Sequence, residues 1–367
     1  MMKNRMNCLP PELLFEVLTH LPTKDLLKLR VVCKLWNSII CEPSFHQHHL
    51  HQLRKNNVHG YKYYLTTNGG TYRSVDVKSS ETLATIEEIK LCKSHYEDCL
   101  ICIKACVDGV LLVSTIYVKV IFLWNPTLGK VVDIPLYEAL KKIRLYDVVF
   151  GFGFDSVSNI YKVVALYLEK NNDLKTMVYN LGSRSWTSPK MERGSIDNAK
   201  HLSHLSRSLN FEGSIYCLSK AEITSENDTH YLCFNLSSEA LTCAKLPDGK
   251  IIKYAPIRRR LAVLYDSLAL VDDSREDGLG SIHFHVWMRR KDSTTSSEFS
   301  WVKLYNLDCD AKYFTYLANN GILYLQAWPP NIGSVYDLKA DKEKFFYLTG
   351  GYINFMEGYL ESLALLR

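Results

Sequence analysis

The sequence predicts two unequal parts. A small all-α head of three short helices comes first, and a large all-β body follows, built as a β-propeller of about six blades. Three observations lead there. Strong helical periodicity is confined to residues 9–55. After Gly60 the texture changes to Tyr, Val, Ile and Thr, with turn clusters between them. A short phrase then recurs through the second part: an apolar pair, Asn or Asp, then an apolar residue or Pro.

In the head, Leu9, Leu13, Leu14, Val17, Leu18 and Leu21 repeat at helical spacing. Pro10 and Pro11 suit a first turn, where no backbone donor is needed. Pro22 ends this helix, and Thr23 reads as the N-cap of a second one carrying Leu26, Leu27, Leu29 and Val32. A third spans roughly Lys34 to Cys41 and is stopped by Pro43. The segment 44–55 is polar and His-rich. The expected boundaries are a head over 1–50, a linker over 51–60 and the body over 61–367. Three short helices in about 40 residues cannot bury a sufficient core alone, so the head must dock its remaining apolar surface on something.

In the body, the phrase appears at Ser74-Val75-Asp76-Val77, Leu123-Trp124-Asn125-Pro126, Val178-Tyr179-Asn180-Leu181, Cys233-Phe234-Asn235-Leu236 and Val335-Tyr336-Asp337-Leu338. A degenerate copy lies at Phe284-His285-Val286-Trp287. The spacing is roughly 52 residues, close to the period of a four-stranded propeller blade. Turn residues follow each copy. A Gly-led apolar strand often precedes it, as at Gly109, Gly213 and Gly321. Six copies give about six blades.

The formal net charge is +5. Residues 1–60 hold eight Lys/Arg against four Asp/Glu, and the remainder holds 36 against 35. The body is electrically balanced, which argues against nucleic acid as a partner. No segment reaches the ~18 apolar residues that span a bilayer, so no membrane partner is expected. Pro10, Pro11, Glu12 and Glu16 interrupt what would be the apolar part of a signal peptide. The expected location is the cytoplasm, the nucleus or both. Eleven scattered Cys do not form a disulfide framework.

The residues now suggest a family. Leu9-Pro10-Pro11-Glu12-Leu13-Leu14, then His20 to Leu27, then Leu29 to Ile40 and Pro43-Ser44-Phe45 resemble an F-box nearly end to end. The body resembles the F-box-associated domain of plant F-box proteins, including the S-locus type, and is kelch-like. Leu123-Trp124-Asn125-Pro126-Thr127, Gly151 to Ser156, Tyr161-Lys162-Val163-Val164 and the closing Tyr359-Leu360-Glu361-Ser362-Leu363 carry this resemblance.

The resemblance implies a substrate-recognition subunit of an SCF ubiquitin ligase. Its partners would be a Skp-type adaptor, through it a cullin and a RING subunit, and a target protein that the sequence does not identify. The candidate adaptor-binding residues are Leu9, Pro10, Leu13, Leu14, Val17, Leu18, Leu21, Pro22, Leu26, Leu27, Val32, Cys33 and Trp36. A narrower variant has a ribonuclease as target, in the S-locus manner. Alternatives are a propeller enzyme with a fused targeting module, and a scaffold that binds the adaptor without a cullin.

No catalytic residue, metal site or cofactor is expected. Cys99 and Cys102 form a CxxC near Cys92, His95 and Cys106, but in an apolar strand without a second pair. His46, His48, His49 and His51 read as a solvated helix end. Gly151-Phe152-Gly153 lacks the third glycine and the helix of a phosphate loop, and reads as a strand-to-turn junction. Arg258-Arg259-Arg260 and Arg289-Arg290-Lys291 read as solvated loops, and Asp272–Gly280 as an acidic loop. No nucleophile, base and oxyanion donor form a set.

Overall fold

The computed structural model describes residues 9–57, 60–68, 74–91, 101–115, 120–141, 143, 148–169, 173–189, 202–205, 208–221, 230–247, 258–275, 282–291, 299–309, 312–327, 332–348 and 352–365. Four helices form the head: α1 (Pro11–Thr19), α2 (Thr23–Leu29), α3 (Lys34–Ile40) and α4 (Pro43–Asn56). Pro43, expected to stop the third helix, instead opens a fourth, where its missing N–H costs nothing. Residues 51–56 of the expected linker are therefore helix. Thr23 does not cap α2; it is the first helical residue, behind Pro22, and its side chain is used elsewhere.

Helix α1 is apolar on two sides. Leu14 and Leu18 turn inward and pack with Leu26, Ile39, Ile40 and Phe45. Leu13 and Val17 turn outward. The inner cluster is completed by two residues from the body, Leu128 and Leu363. This meets the shortage of core expected for so small a unit.

The body is a six-bladed propeller. Blade 1 contains β1 (Tyr63–Asn68), β2 (Ser74–Ser79) and β3 (Thr85–Lys90). Blade 2 is β4 (Ile101–Val107), β5 (Val110–Thr115), β6 (Ile121–Asn125) and β7 (Lys130–Ile134). The short helix α5 (Glu138–Lys141) leads to blade 3: β8 (Val149–Asp155), β9 (Ile160–Leu168), β10 (Leu174–Asn180) and β11 (Ser185–Thr187). Blade 4 has β12 (Leu202–Leu205) and β13 (Leu209–Phe211), both paired with β14 (Ser214–Ala221), then β15 (His230–Asn235) and β16 (Leu241–Lys245). Blade 5 is β17 (Arg258–Leu264), β18 (Ser267–Arg275), β19 (Ile282–Lys291) and β20 (Phe299–Cys309). Blade 6 is β21 (Lys312–Leu317), β22 (Ile322–Ala327), β23 (Ile332–Asp337) and β24 (Lys342–Tyr347). Finally β25 (Ile353–Tyr359) returns to blade 1 as its innermost strand, antiparallel to β1 with Tyr63 opposite Tyr359.

All pairings within blades are antiparallel, and the inner strands touch in a closed cycle. The free edges of the inner strands face the channel, where they are short and protected. Inner and middle strands are covered on both faces, which explains their continuous apolar runs. All six residues of β5 are buried. Leu111 and Val113 face blade 1, while Val110 and Leu112 face blade 3. In β18, Leu268 and Leu270 face blade 4, and Ala269 and Val271 face blade 6.

The recurring phrase marks the third strand of every blade, and in four blades its polar residue builds the next turn. Asn180 Oδ1 accepts from the backbone N–H groups of Gly182 at 2.8 Å and Ser183 at 3.0 Å. Asn235 does the same for Ser237 and Ser238, and Asp337 for Lys339 and Ala340. Asn125 accepts from Leu128 N. This is the Asx-turn chemistry that makes Asn and Asp recur at such corners. Blades 1 and 5 depart from it. Asp76 and His285 lie inside β2 and β19, which run on to Ser79 and Lys291. In blade 1, Ser79 Oγ takes over, accepting from Glu81 N.

Candidate functional site

Antiparallel order places the first-to-second and third-to-fourth turns of each blade on one face of the ring. The head sits on that face. Lys24 Nζ lies 2.6 Å from Glu87 Oε2 and 3.1 Å from Glu361 Oε1. Desolvation works against the Lys24 ammonium, yet these two carboxylates hold its pKa above the ordinary lysine value. Gln47 Nε2 donates to Asn159 Oδ1 at 2.6 Å, in the β8–β9 turn. Arg54, near the end of α4, grips Asp108 in the β4–β5 turn through Nη2 and Nε.

Residues 360–365, just after β25, run between the head and the ring and are held from both sides. Thr23 Oγ1 donates to the Glu361 carbonyl, and Ser362 Oγ donates to the Asp108 carbonyl. Asn125 Nδ2 donates to the carbonyls of Ser362 at 3.1 Å and Ala364 at 2.7 Å. Gly109 makes room for this segment. Its φ is +76°, and a Cβ there would stand 1.8 Å from the Leu360 carbonyl oxygen.

On the head's outer side, Leu9, Leu13 and Val17 recur every four residues and are 51%, 54% and 51% exposed. Pro10, Pro22, Val32 and Cys33 are exposed as well, while Leu21, Leu27 and Trp36 are half-buried. Leu14, Leu18 and Leu26 are a correction: they belong to the inner cluster and are not available to a partner. Val31 and Leu35, outside the expected set, are exposed beside Val32. Helix phase gave no signal for them: Leu35 stands four residues before the inward Ile39, and Val31 lies in the turn between α2 and α3. The head thus offers a stripe of large apolar side chains that nothing among the described residues covers. Such a stripe is a candidate interaction surface.

Two family matches divide the chain at the same place as its structure. Residues 6–48 match the F-box domain, and residues 62–357 match the F-box associated beta propeller domain. The chain belongs to the F-box-associated propeller family. It is 24% identical to the Arabidopsis thaliana F-box protein At3g21120, over 80% of this chain and 80% of that one. It is 22% identical to the Arabidopsis F-box/kelch-repeat protein At3g17570, over 93% and 87%. It is 28% identical to the F-box/kelch-repeat protein At3g23880 over about half of each chain. Among solved structures it is similar to a chain of a nidogen/laminin complex, at 13% identity and a TM-score of 0.47, over 82% of this chain and 99% of that one.

A cavity of about 1020 Å³ lies among the inner strands, with Arg54, Asn57 and Tyr61 in its lining. Arg259 and Arg260 line it from β17. They stand in a strand and not in the expected loop, and Arg260 is exposed while Arg259 is not. Arg259 Nε lies 3.2 Å from Asp272 Oδ2 with both side chains buried, and the Arg260 guanidinium lies over the Phe314 ring. Asp272–Arg275 of the expected acidic loop is likewise strand. Arg289 sits in β19 over the ring of Phe299, 4.3 Å from its centroid.

Among the histidines of α4, His48 and His51 are exposed as expected, and His49 is not. His49 is buried, its Nε2 2.9 Å from the Leu21 carbonyl and its ring stacked on Phe45. Burial lowers its pKa, outweighing that hydrogen bond. His46 and His48 bond backbone carbonyls of Ile40 and Ser44. Among the described residues no group of three or more His, Cys, Asp or Glu is placed to hold a metal ion. Cys92, His95 and Cys99 lie outside those residues. Gly151 and Gly153 lie within β8, not at a junction, and make room for Ile215 and Leu236 of blade 4.

Proposed function

We propose that this chain is the substrate-recognition subunit of an SCF-type ubiquitin ligase. The outward stripe Leu9, Leu13 and Val17 on the F-box carries the reading, because it is apolar surface that none of the described residues of the head or the propeller covers. Pro10, Pro22, Val31, Val32, Cys33 and Leu35 extend it. The stripe docks on a Skp-type adaptor, which brings a cullin and a RING subunit. The ring presents its other face, where the second-to-third and fourth-to-first connectors leave the sheets, to a target protein. Connectors carried on a rigid scaffold suit that task.

Catalysis in this reading is indirect. The chain forms no covalent intermediate. It holds the target beside a ubiquitin-loaded conjugating enzyme and raises the effective concentration of acceptor lysines. The complex works in the cytoplasm, the nucleus or both.

Co-elution with a purified adaptor tests the docking. Leu13→Asp places a charge in the stripe and is expected to cost about 2 kcal/mol, or roughly thirtyfold in Kd. Tyr347→Asp, on the exposed outer strand of blade 6, is the control and leaves binding unchanged. Absence of adaptor binding by the unaltered chain, or full binding by Leu13→Asp, would overturn the proposal.

A further inference from the structure

Asn125 stands apart from the other turn-building residues of the ring. Its side-chain oxygen accepts from Leu128 N at 3.2 Å, as the Asx pattern requires. Its amide nitrogen, however, leaves its own turn. It donates to the carbonyls of Ser362 at 3.1 Å and Ala364 at 2.7 Å, and the residue is fully buried. Asn180 and Asn235 hold the equivalent corners of blades 3 and 4 and are only half-buried. The amide of Asn235 stays within its blade, near Ser214 Oγ.

The two segments that Asn125 ties together supply the two propeller residues in the F-box core, Leu128 and Leu363. One side chain thus sets the position of both apolar contacts on which the F-box is seated. Thr23 Oγ1 bonds the Glu361 carbonyl from the head side, within the same segment that Asn125 holds from the ring side. The remaining links are weaker at fixing an angle. Lys24 pairs with Glu87 and Glu361 near the surface, and Gln47 meets Asn159 in an exposed contact. Exposed pairs contribute little. Arg54 and Asp108 add one strong point of attachment, but a single point leaves rotation open.

We propose that Asn125 is the positioning residue that fixes the F-box against the propeller, and with it the distance between the adaptor-binding stripe and the open face of the ring. The functional meaning of that distance rests on the ligase reading above; the structural claim does not. Asn125 is fully buried and so offers no surface to adaptor or target. It acts through residues 360–365 and the turn at Leu128.

The test uses the full chain bound to its adaptor. Two spectroscopic labels are introduced as non-canonical amino acids, at Lys28 of α2 and Lys342 of β24, both exposed. The unaltered chain is expected to give one narrow distance distribution. Asn125→Asp turns two donors into a carboxylate facing two carbonyl oxygens. It is expected to lose the narrow peak while the strands of blades 3 to 6 keep their hydrogen-exchange protection. Asn180→Asp, the same change at an equivalent corner, keeps the narrow peak. A narrow peak in folded Asn125→Asp, or a broad one in the unaltered chain, would overturn the proposal. If Asn125→Asp unfolds the ring, Asn125→Ala carries the same comparison. If the unaltered chain does not bind the adaptor, the ligase reading fails while the distance measurement on the chain alone still decides the role of Asn125.

Discussion

Arg54 and Asp108 join the two domains in a two-nitrogen grip. Nη2 lies 2.7 and 2.8 Å from the two carboxylate oxygens, and Nε lies 3.1 Å from Oδ1. Tyr161 donates a further bond to Asp108 Oδ2 at 3.0 Å. The carboxylate is buried, while about half of the arginine side chain is exposed. Arg54→Ala leaves that carboxylate with the tyrosine and without its countercharge. The expected loss is about 2 kcal/mol, at the level of a charge-assisted hydrogen bond. Denaturant unfolding should show a lower midpoint with an unchanged slope.

Asp155 and Lys162 staple blade 3 to blade 4. Lys162 Nζ reaches Asp155 Oδ2 at 3.0 Å, Glu239 Oε1 at 2.9 Å and the Leu236 carbonyl at 2.7 Å. Lys162→Met strands a buried carboxylate and is expected to destabilise the ring by about 3 kcal/mol. Asp155 also predicts a pH dependence. Burial alone would raise its pKa, but hydrogen bonds from Ser158, Ser237, Lys162 and the Val157 N–H outweigh it and hold the group well below the usual carboxylate range. A depressed folded pKa contributes stability that is full above the unfolded value of about 3.9 and is lost as pH falls below it. Melting temperatures should drop steeply from about pH 4 downward. Asp155→Asn should flatten that slope.

His49 gives the F-box its own acid limit. Its pKa is lowered because burial disfavours the imidazolium. The neutral ring therefore stabilises the fold fully above the unfolded value of about 6.5, and this contribution fades as pH falls through that value toward the lowered one. Hydrogen-exchange protection factors in α1 and α4, corrected for the intrinsic pH dependence of exchange, should fall below about pH 6 while the propeller strands keep theirs. Equal protection of α4 at pH 5 and pH 7 would count against this account.

Gly109 tests the seat from the ring side. Gly109→Ala drives a methyl group into the Leu360 carbonyl, which is backbone and cannot swing aside. The residue also sits at positive φ. A loss of about 2 kcal/mol is expected from strain and clash together. Gly213, also at positive φ but with nothing within 4 Å of a Cβ, is the control. Gly213→Ala should lose only about 1 kcal/mol, for the conformation alone.

Much of the architecture was legible because it follows from short-range chemistry. Asn125, Asn180, Asn235 and Asp337 recur because each bonds backbone donors two or three residues ahead, and this local pattern counts blades. Asp76 and His285 kept the count without making the turn. What stayed hidden depends on contacts between distant segments. Leu13 and Leu14 are chemically alike and adjacent, and only the arrival of Leu363 and Leu128 shows which one faces inward. His49 looked solvated among polar neighbours until the Leu21 carbonyl and the Phe45 ring closed over it. Arg259 looked like part of a surface run because Asp272, its partner across the β17–β18 pair, stands 13 positions later.

The pairing of β25 with β1 makes the ring a loop of chain closed by its most distant strands. Tyr63 lies opposite Tyr359, and Thr23 meets Glu361 across a separation of 338 positions. Such contacts form slowly, because loop entropy is lost before the contact returns anything. The hairpins of blades 2 to 6 need only neighbouring residues and can assemble first. Refolding is therefore expected in two stages, with the arrival of β25 as the slow one. Because Leu363 follows β25 directly, the F-box core is completed in that same late event.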